Sequence, residues 1–209
     1  GSGKSTILEL ITRSYDVTSG EIYLDDKILS SYDLQSLKSF ISYVPQNPFL
    51  FSDTIIENIK FGNHTSSDDE VVKVAKDSSI HSDISRFKDQ YETLLGERGV
   101  NLSGGQIQRI TIARALLKRS KILLLDDCLS SVDAKTESSI LSNIKKAKKE
   151  ETVIIVSNKI SSVMHADLII VLDKGIIIEK GTHKQLLSIK GFYEKLAQKQ
   201  VENIDFIKI

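Results

Sequence analysis

The chain has 209 residues, enough for one α/β domain with a sizeable core. Its 28 basic and 28 acidic side chains cancel, so nothing in the charge balance points to a nucleic-acid partner. The single cysteine, Cys128, excludes an internal disulfide framework and fits a reducing compartment. No apolar run approaches the roughly 18–20 residues that cross a bilayer.

Ser5–Ser14 reads as a helix behind a glycine-rich start. Glu21–Leu24 and Lys27–Leu29 read as a hairpin around Asp25 and Asp26, and Ile41–Val44 as a strand stopped by Pro45. Asp53–Ile59, Asp68–Lys76 and Ile80–Phe87 read as helices. Ser103 opens a longer one to about Leu117, with apolar residues at Ile107, Ile110, Ala113 and Leu117. The all-apolar strand Ile122–Leu125, a helix over Thr136–Lys148 and the strand Val153–Val156 follow. A short helix near Ser161, strand Leu168–Leu172, a turn at Asp173–Gly175, strand Ile176–Glu179 and a helical tail from about His183 complete the pattern. Apolar strands alternating with helices imply an α/β fold with a parallel sheet buried on both faces. The mostly helical stretch over about 53–117 looks like an insertion between two of its strands.

Gly1-Ser2-Gly3-Lys4-Ser5-Thr6 has the form of the second half of a phosphate-binding loop. Glycines let backbone N–H groups close around phosphate oxygens, and a helix N-terminus adds positive potential. Lys4 would reach the terminal phosphates and Ser5 would ligate Mg²⁺. Because the chain opens inside this loop without an initiator Met, it is expected to be a fragment of a longer protein. Ile122–Asp127 is an apolar strand ending in two carboxylates. In a P-loop enzyme the first, Asp126, would hold Mg²⁺ through water, and the second, Asp127, would stand where a general base poises the attacking water.

Leu102-Ser103-Gly104-Gly105-Gln106, continued by Gln108-Arg109 and Ala113-Arg114-Ala115-Leu116, resembles the signature motif of ABC ATPases. The resemblance covers nearly the whole chain. Tyr43–Pro48 resembles the Q-loop, where Gln46 would contact Mg²⁺ and water and the loop would sense a transmembrane domain. Gly96–Gly99 resembles the exporter X-loop, Ser130–Asp133 the D-loop, and Lys180–His183 with Leu186 and Leu187 the usual C-terminal end. The resemblance implies a RecA-like parallel core sheet with an ABC helical subdomain over about 53–117 and a C-terminal helical tail over about 183–209. Residues 1–209 would then form one nucleotide-binding domain with its N-terminal part truncated. ATP and Mg²⁺ would be the ligands. Gly1, Ser2, Gly3, Lys4, Ser5, Thr6 and Gln46 would serve the chain's own nucleotide, and Ser103, Gly104, Gly105 and Gln106 that of a second protomer. Ser5, Gln46 and Asp126 would hold the metal.

Two positions depart from the family pattern. The second carboxylate, usually Glu, is Asp127, which retracts the carboxylate by about 1.5 Å, one carbon–carbon bond. Where the family has a switch His, this chain has Asn158, which carries neither the charge nor the proton of an imidazole. The catalytic set Asp127, Asn158 and Gln46 therefore implies reduced hydrolysis at the chain's own site. A heterologous second nucleotide-binding domain with intact Glu and His is the expected partner, with fused or associated transmembrane segments and this domain on the cytoplasmic side of the cell membrane. The alternatives are a non-transport soluble ABC ATPase and a regulatory ATP-binding module. The residues offer these fewer signals: no long coiled-coil insertion or second cassette is visible. His64, His81 and His183 have no metal-ligand spacing. The Lys145–Lys149 run reads as solvated surface, Cys128 as a packed small residue, and the tail around Phe192 and Tyr193 as self-packing.

Overall fold

The computed structural model describes residues 2–96 and 101–206, the last five as backbone alone. In chain order the elements are α1 (Lys4–Ile11), β1 (Tyr23–Leu24), β2 (Lys27–Ile28), α2 (Leu34–Phe40), β3 (Ile41–Val44), α3 (Ile55–Lys60), α4 (Asp68–Asp77), α5 (His81–Ile84) and α6 (Gly104–Leu117). They continue with β4 (Ile122–Asp126), α7 (Ala134–Ala147), β5 (Thr152–Val156), α8 (Ile160–Val163), β6 (Ile169–Asp173), β7 (Ile176–Gly181), α9 (His183–Ile189) and α10 (Phe192–Phe206). Most helices start on a side chain that satisfies an orphan N–H. Asp33 accepts from the Ser36 N–H at 3.0 Å, and Ser67 with Glu70 forms a reciprocal capping box. That Asp33 cap starts α2, which the sequence reading does not include: its seven residues are too few for a clear helical period. The expected helix over Ile80–Phe87 contracts to the four residues of α5. The helical C-terminal tail is divided into two helices, because Lys190 turns the chain with φ 55° ahead of Gly191.

The fold falls into two compact units, Gly1–Ser31 with Ile155–Ile209, and Tyr32–Ile154. In the second unit β3 pairs parallel with β4, Ile41 opposite Ile122 through to Val44 opposite Leu125, and the sheet order is β3-β4-β5. Every residue of β4 is buried, as a strand covered on both faces demands. Leu123, Leu124 and Leu125 are each sealed from water, contributing on the order of 1.5–3 kcal/mol apiece. The expected parallel, α/β arrangement is present between β3 and β4. β6 does not extend it. It pairs antiparallel with β7, and the reason is local: Lys174 and Gly175 both have positive φ (47° and 79°), and such two-residue turns return the chain on itself. Leu168, Ile170 and Ile176 are exposed on this hairpin, against the expectation of burial on both faces.

The helices between β3 and β4 pack on α6, which is buried nearly all round: Gln108, Ile110, Thr111, Ile112, Ala113, Ala115, Leu116 and Leu117 are all inside. Arg114 ties this helix to the segment after β3. Its guanidinium donates to the Asn58 carbonyl (2.7 Å), the Asn58 Oδ1 (2.9 Å) and the Phe49 carbonyl (2.9 Å). It also lies 5.4 Å from the Phe51 ring centre and 5.5 Å from that of Phe61. The buried Asn58 is itself bonded to the Phe51 N–H at 2.8 Å and to the Phe51 carbonyl at 3.0 Å. A lysine offers a point charge where this site needs a planar fork. We expect Arg114→Lys to destabilise the protein by about 1–3 kcal/mol, since it strands the carbonyl of the buried Asn58 and breaks the fork's other bonds. Denaturant unfolding checks this, and a midpoint equal to the wild type would show the fork to be dispensable.

In the first unit, Ile169, Leu186 and Tyr193 form a buried cluster with Ile160, Val163 and Val171 packed against it. The Glu179 carboxylate accepts the N–H groups of Phe192 and Tyr193 (the latter at 3.0 Å), so β7 caps the start of α10. Tyr193 is buried and Phe192 exposed, which gives the self-packing tail its direction.

Candidate nucleotide site

The first unit holds the glycine loop. Gly3 precedes α1 at φ 89°, a conformation that costs a residue with a Cβ. Its carbonyl accepts the Ile7 N–H at 3.2 Å, so the helix begins at Lys4 and the first-turn amides have no partner within it. Ser5 and Thr6 are exposed, and the Lys4 ammonium donates to the Ser2 hydroxyl at 3.0 Å. The Ser2 carbonyl accepts the Gly175 N–H at 3.2 Å. Asn158 belongs to the same unit and is exposed just beyond β5. The Ser157 hydroxyl behind it accepts the Lys159 N–H at 3.0 Å.

In the second unit the two carboxylates stand at the C-terminal ends of parallel strands, where open α/β sheets place their ligands. The Asp126 carboxylate is 3% exposed and accepts the Tyr43 hydroxyl at 3.2 Å. Among the described residues of this unit no Lys or Arg pairs with it. A carboxylate so buried calls for a cation. With the Gln46 amide of the same unit it supplies hard oxygen donors, the kind Mg²⁺ prefers. The residues therefore fit the metal that the sequence implies. Asp127 turns out of the strand at φ 44°, a left-handed conformation that Asp tolerates better than most residues. Gln46 donates from Nε2 to its Oδ2 at 3.4 Å, which brings the expected Q-loop residue and the expected base together. Next to them Cys128 is buried, and burial pushes its thiol up to about 12, so it packs as a small, protonated side chain.

The Ser103–Gln106 stretch forms the start of α6 as a capping box. The Ser103 hydroxyl accepts the Gln106 N–H at 3.3 Å, and Gln106 Oε1 accepts the Ser103 N–H at 2.9 Å. That leaves the amides of Gly104 and Gly105 at the positive end of a 14-residue helix. The turn is braced from below. Gln106 donates to Asp83 Oδ1 at 3.3 Å, and Arg109 donates to Asp83 Oδ2 at 2.8 Å and to the Ser79 carbonyl at 2.6 Å.

Gln108, absent from the expected site, joins α6 to the loop after β4: it donates to the Ser130 hydroxyl at 3.4 Å and accepts the Ser131 N–H at 3.2 Å. Its signal was a polar residue on a buried stripe with Ile112 and Ala115. Tyr43, Asp83 and Asn58 left no such sign, because each acts through contacts tens of residues away in the chain. Gly1 and the Glu97–Gly99 part of the expected X-loop lie outside the described residues.

A glycine loop opening a helix, and a buried parallel strand closing on adjacent carboxylates, define the P-loop nucleotide-binding fold. The comparisons narrow the class. Residues 1–130 match the family described as ABC transporter. Heavy metal tolerance factor 1 of Caenorhabditis elegans is 43% identical over 201 residues, covering 96% of this chain and 25% of that protein. A probable multidrug resistance ABC transporter ATP-binding/permease protein of Bacillus subtilis, YheI, is 44% identical over 200 residues, covering 96% of this chain and 34% of its own length. Among solved structures, a bacterial Atm1-family ABC exporter with ATP bound superposes with a TM-score of 0.91 at 39% identity, over 95% of this chain and 35% of that one. The chain belongs to the ABC transporter family, and its relatives include exporters. It spans about a quarter to a third of the length of these relatives. Among the described residues no helix is long and apolar enough to cross a membrane.

Proposed function

We propose that residues 1–209 are the nucleotide-binding motor domain of an ABC exporter, binding and hydrolysing ATP to drive a substrate across the cell membrane from its cytoplasmic side. The observation that carries this is the buried Asp126 at the end of β4, with Gln46 reaching Asp127 beside it. In this reading Lys4 and the amides at the start of α1 hold the phosphates, and Ser5, Gln46 and Asp126 hold Mg²⁺, which would neutralise phosphate charge. Gly104, Gly105 and their capped helix end present a second anion-binding surface to the nucleotide of a second domain. Asp127 takes the proton of the attacking water, and Asn158 occupies the switch position. The helical stretch over about 53–117 is the subdomain that carries this surface.

Asp127 and Asn158 make the chain's own site a slow one. The intact Ser103–Gln106 turn suits a role in completing the site of a heterologous partner that keeps Glu and His. Phe49, 67% exposed, stands with Phe51 and Phe61 in an aromatic group held by Arg114. It lies three residues after Gln46, so it is placed to receive the transmembrane part that the Q-loop senses.

ATP·Mg binding to the full-length protein tests the reading. Lys4→Ala is expected to weaken it on the order of a hundredfold, the loss of a charge-assisted phosphate contact. Wild-type protein with no affinity for ATP·Mg would remove the reading altogether.

A further inference from the structure

Residues 157–159, which join β5 to α8, and Ile160 at the start of α8 are gripped by one side chain from the far end of the chain. The Gln200 carboxamide, on α10, donates from Nε2 to the Asn158 carbonyl at 2.7 Å. Its Oε1 accepts the Ile160 N–H at 2.9 Å. Only this orientation of the amide works, because it faces an acceptor on one side and a donor on the other. Between those two bonds, the Lys159 N–H goes to the Ser157 hydroxyl at 3.0 Å, and that hydroxyl donates to Ser162 Oγ at 3.2 Å. The backbone is therefore fixed at three successive residues while the Asn158 side chain stays exposed. α10 is itself anchored, by the buried Tyr193 and by the Glu179 carboxylate at its first turn.

We propose that Gln200 is a positioning residue for the switch: it holds the backbone that presents residue 158, so that the C-terminal helix sets where the switch side chain points. This rests on the reading of Asn158 as the switch position of a nucleotide site. A planar carboxamide that spans a carbonyl and an N–H two residues apart keeps both bonds only while α10 stays in place. A displacement of α10 loosens the switch.

The test uses the assembled full-length protein carrying Asp127→Glu and Asn158→His, which is expected to hydrolyse ATP at its own site. Adding Gln200→Met, near-isosteric and without hydrogen bonds, lowers kcat on the order of tenfold with KM for ATP·Mg within about twofold. Gln200→Glu keeps the acceptor for Ile160 but sets a carboxylate oxygen against the Asn158 carbonyl, and its kcat falls at least as far as that of Gln200→Met. With Asn158→Ala in place of Asn158→His, Gln200→Met costs less than about twofold, because the side chain it positions is gone. An unchanged kcat in the first background would overturn the proposal. So would an equal loss in both, which marks a merely structural role. Failure of the site reading itself would show separately, as absent ATP·Mg binding in the wild type before any change at Gln200.

Discussion

Changing Asp127 to Glu together with Asn158 to His raises the ATP turnover of self-paired chains on the order of a hundredfold, the scale set by misplacing a catalytic group by about an ångström. β4 is buried along its whole length, so the strand cannot slide forward to compensate for a short side chain. Asp127 leaves the strand at φ 44° with one oxygen already 3.4 Å from the Gln46 amide nitrogen. The Glu side chain extends the carboxylate by about 1.5 Å from the same fixed backbone. In the proposed reading Asn158 would limit the site independently, because an amide neither carries nor relays a proton near neutral pH. Each single change is expected to recover less than its share, since groups acting in one step are not additive. The measurement is steady-state phosphate release by the full-length protein assembled only with itself. Wild-type turnover equal to that of the double variant would mean that the site is complete as it stands, and the need for a heterologous partner would disappear.

Gly105→Ala is expected to cut turnover at the partner's site about a hundredfold while the affinity of the chain's own loop for ATP moves by less than about threefold. A Cβ at position 105 would sit 2.9 Å from the Ser131 carbonyl oxygen and 3.9 Å from Val132 Cγ2. The first distance is too short for any real methyl contact, so the helix start or the loop must move. The loop resists, because Gln108 holds both the Ser130 hydroxyl and the Ser131 N–H. The displacement then falls on the Ser103–Gln106 turn, at an overpacking cost of about 1–3 kcal/mol. Gly104 provides the contrast: a Cβ there would lie 3.7 Å from Ser131 Oγ, an ordinary contact. Gly104→Ala should accordingly leave unfolding unchanged where Gly105→Ala lowers the midpoint. If Gly105→Ala protein turned over ATP normally, the close approach of α6 to this loop would have no bearing on catalysis.

The glycine loop, the carboxylate pair after Ile122–Leu125 and the Ser103–Gln106 turn were legible in the sequence because each is a local device. Its chemistry lies within a few consecutive residues: a positive φ at Gly3, an apolar run ended by charge, a reciprocal cap. The strands and most helices were legible for the same reason, since a buried parallel strand and an amphipathic helix write their period into neighbouring positions. α2 escaped because its seven residues are too short for a period to show. The strand–turn–strand over Leu168–Glu179 was legible too, but an apolar strand reads alike in either pairing, and the backbone angles of Lys174 and Gly175 settle the antiparallel direction.

What the sequence alone determined is therefore the inventory: a glycine loop ahead of a helix, two carboxylates ending an apolar strand, a glycine turn that opens a helix, and Asp127 and Asn158 where the resemblance leads one to expect Glu and His. Tertiary structure decided which groups support them. Tyr43 meets Asp126 across 83 positions, Gln46 meets Asp127 across 81, and Gln200 meets Asn158 across 42. No local pattern encodes such pairs, because a hydrogen bond specifies the distance between two atoms and is indifferent to the length of chain that connects them.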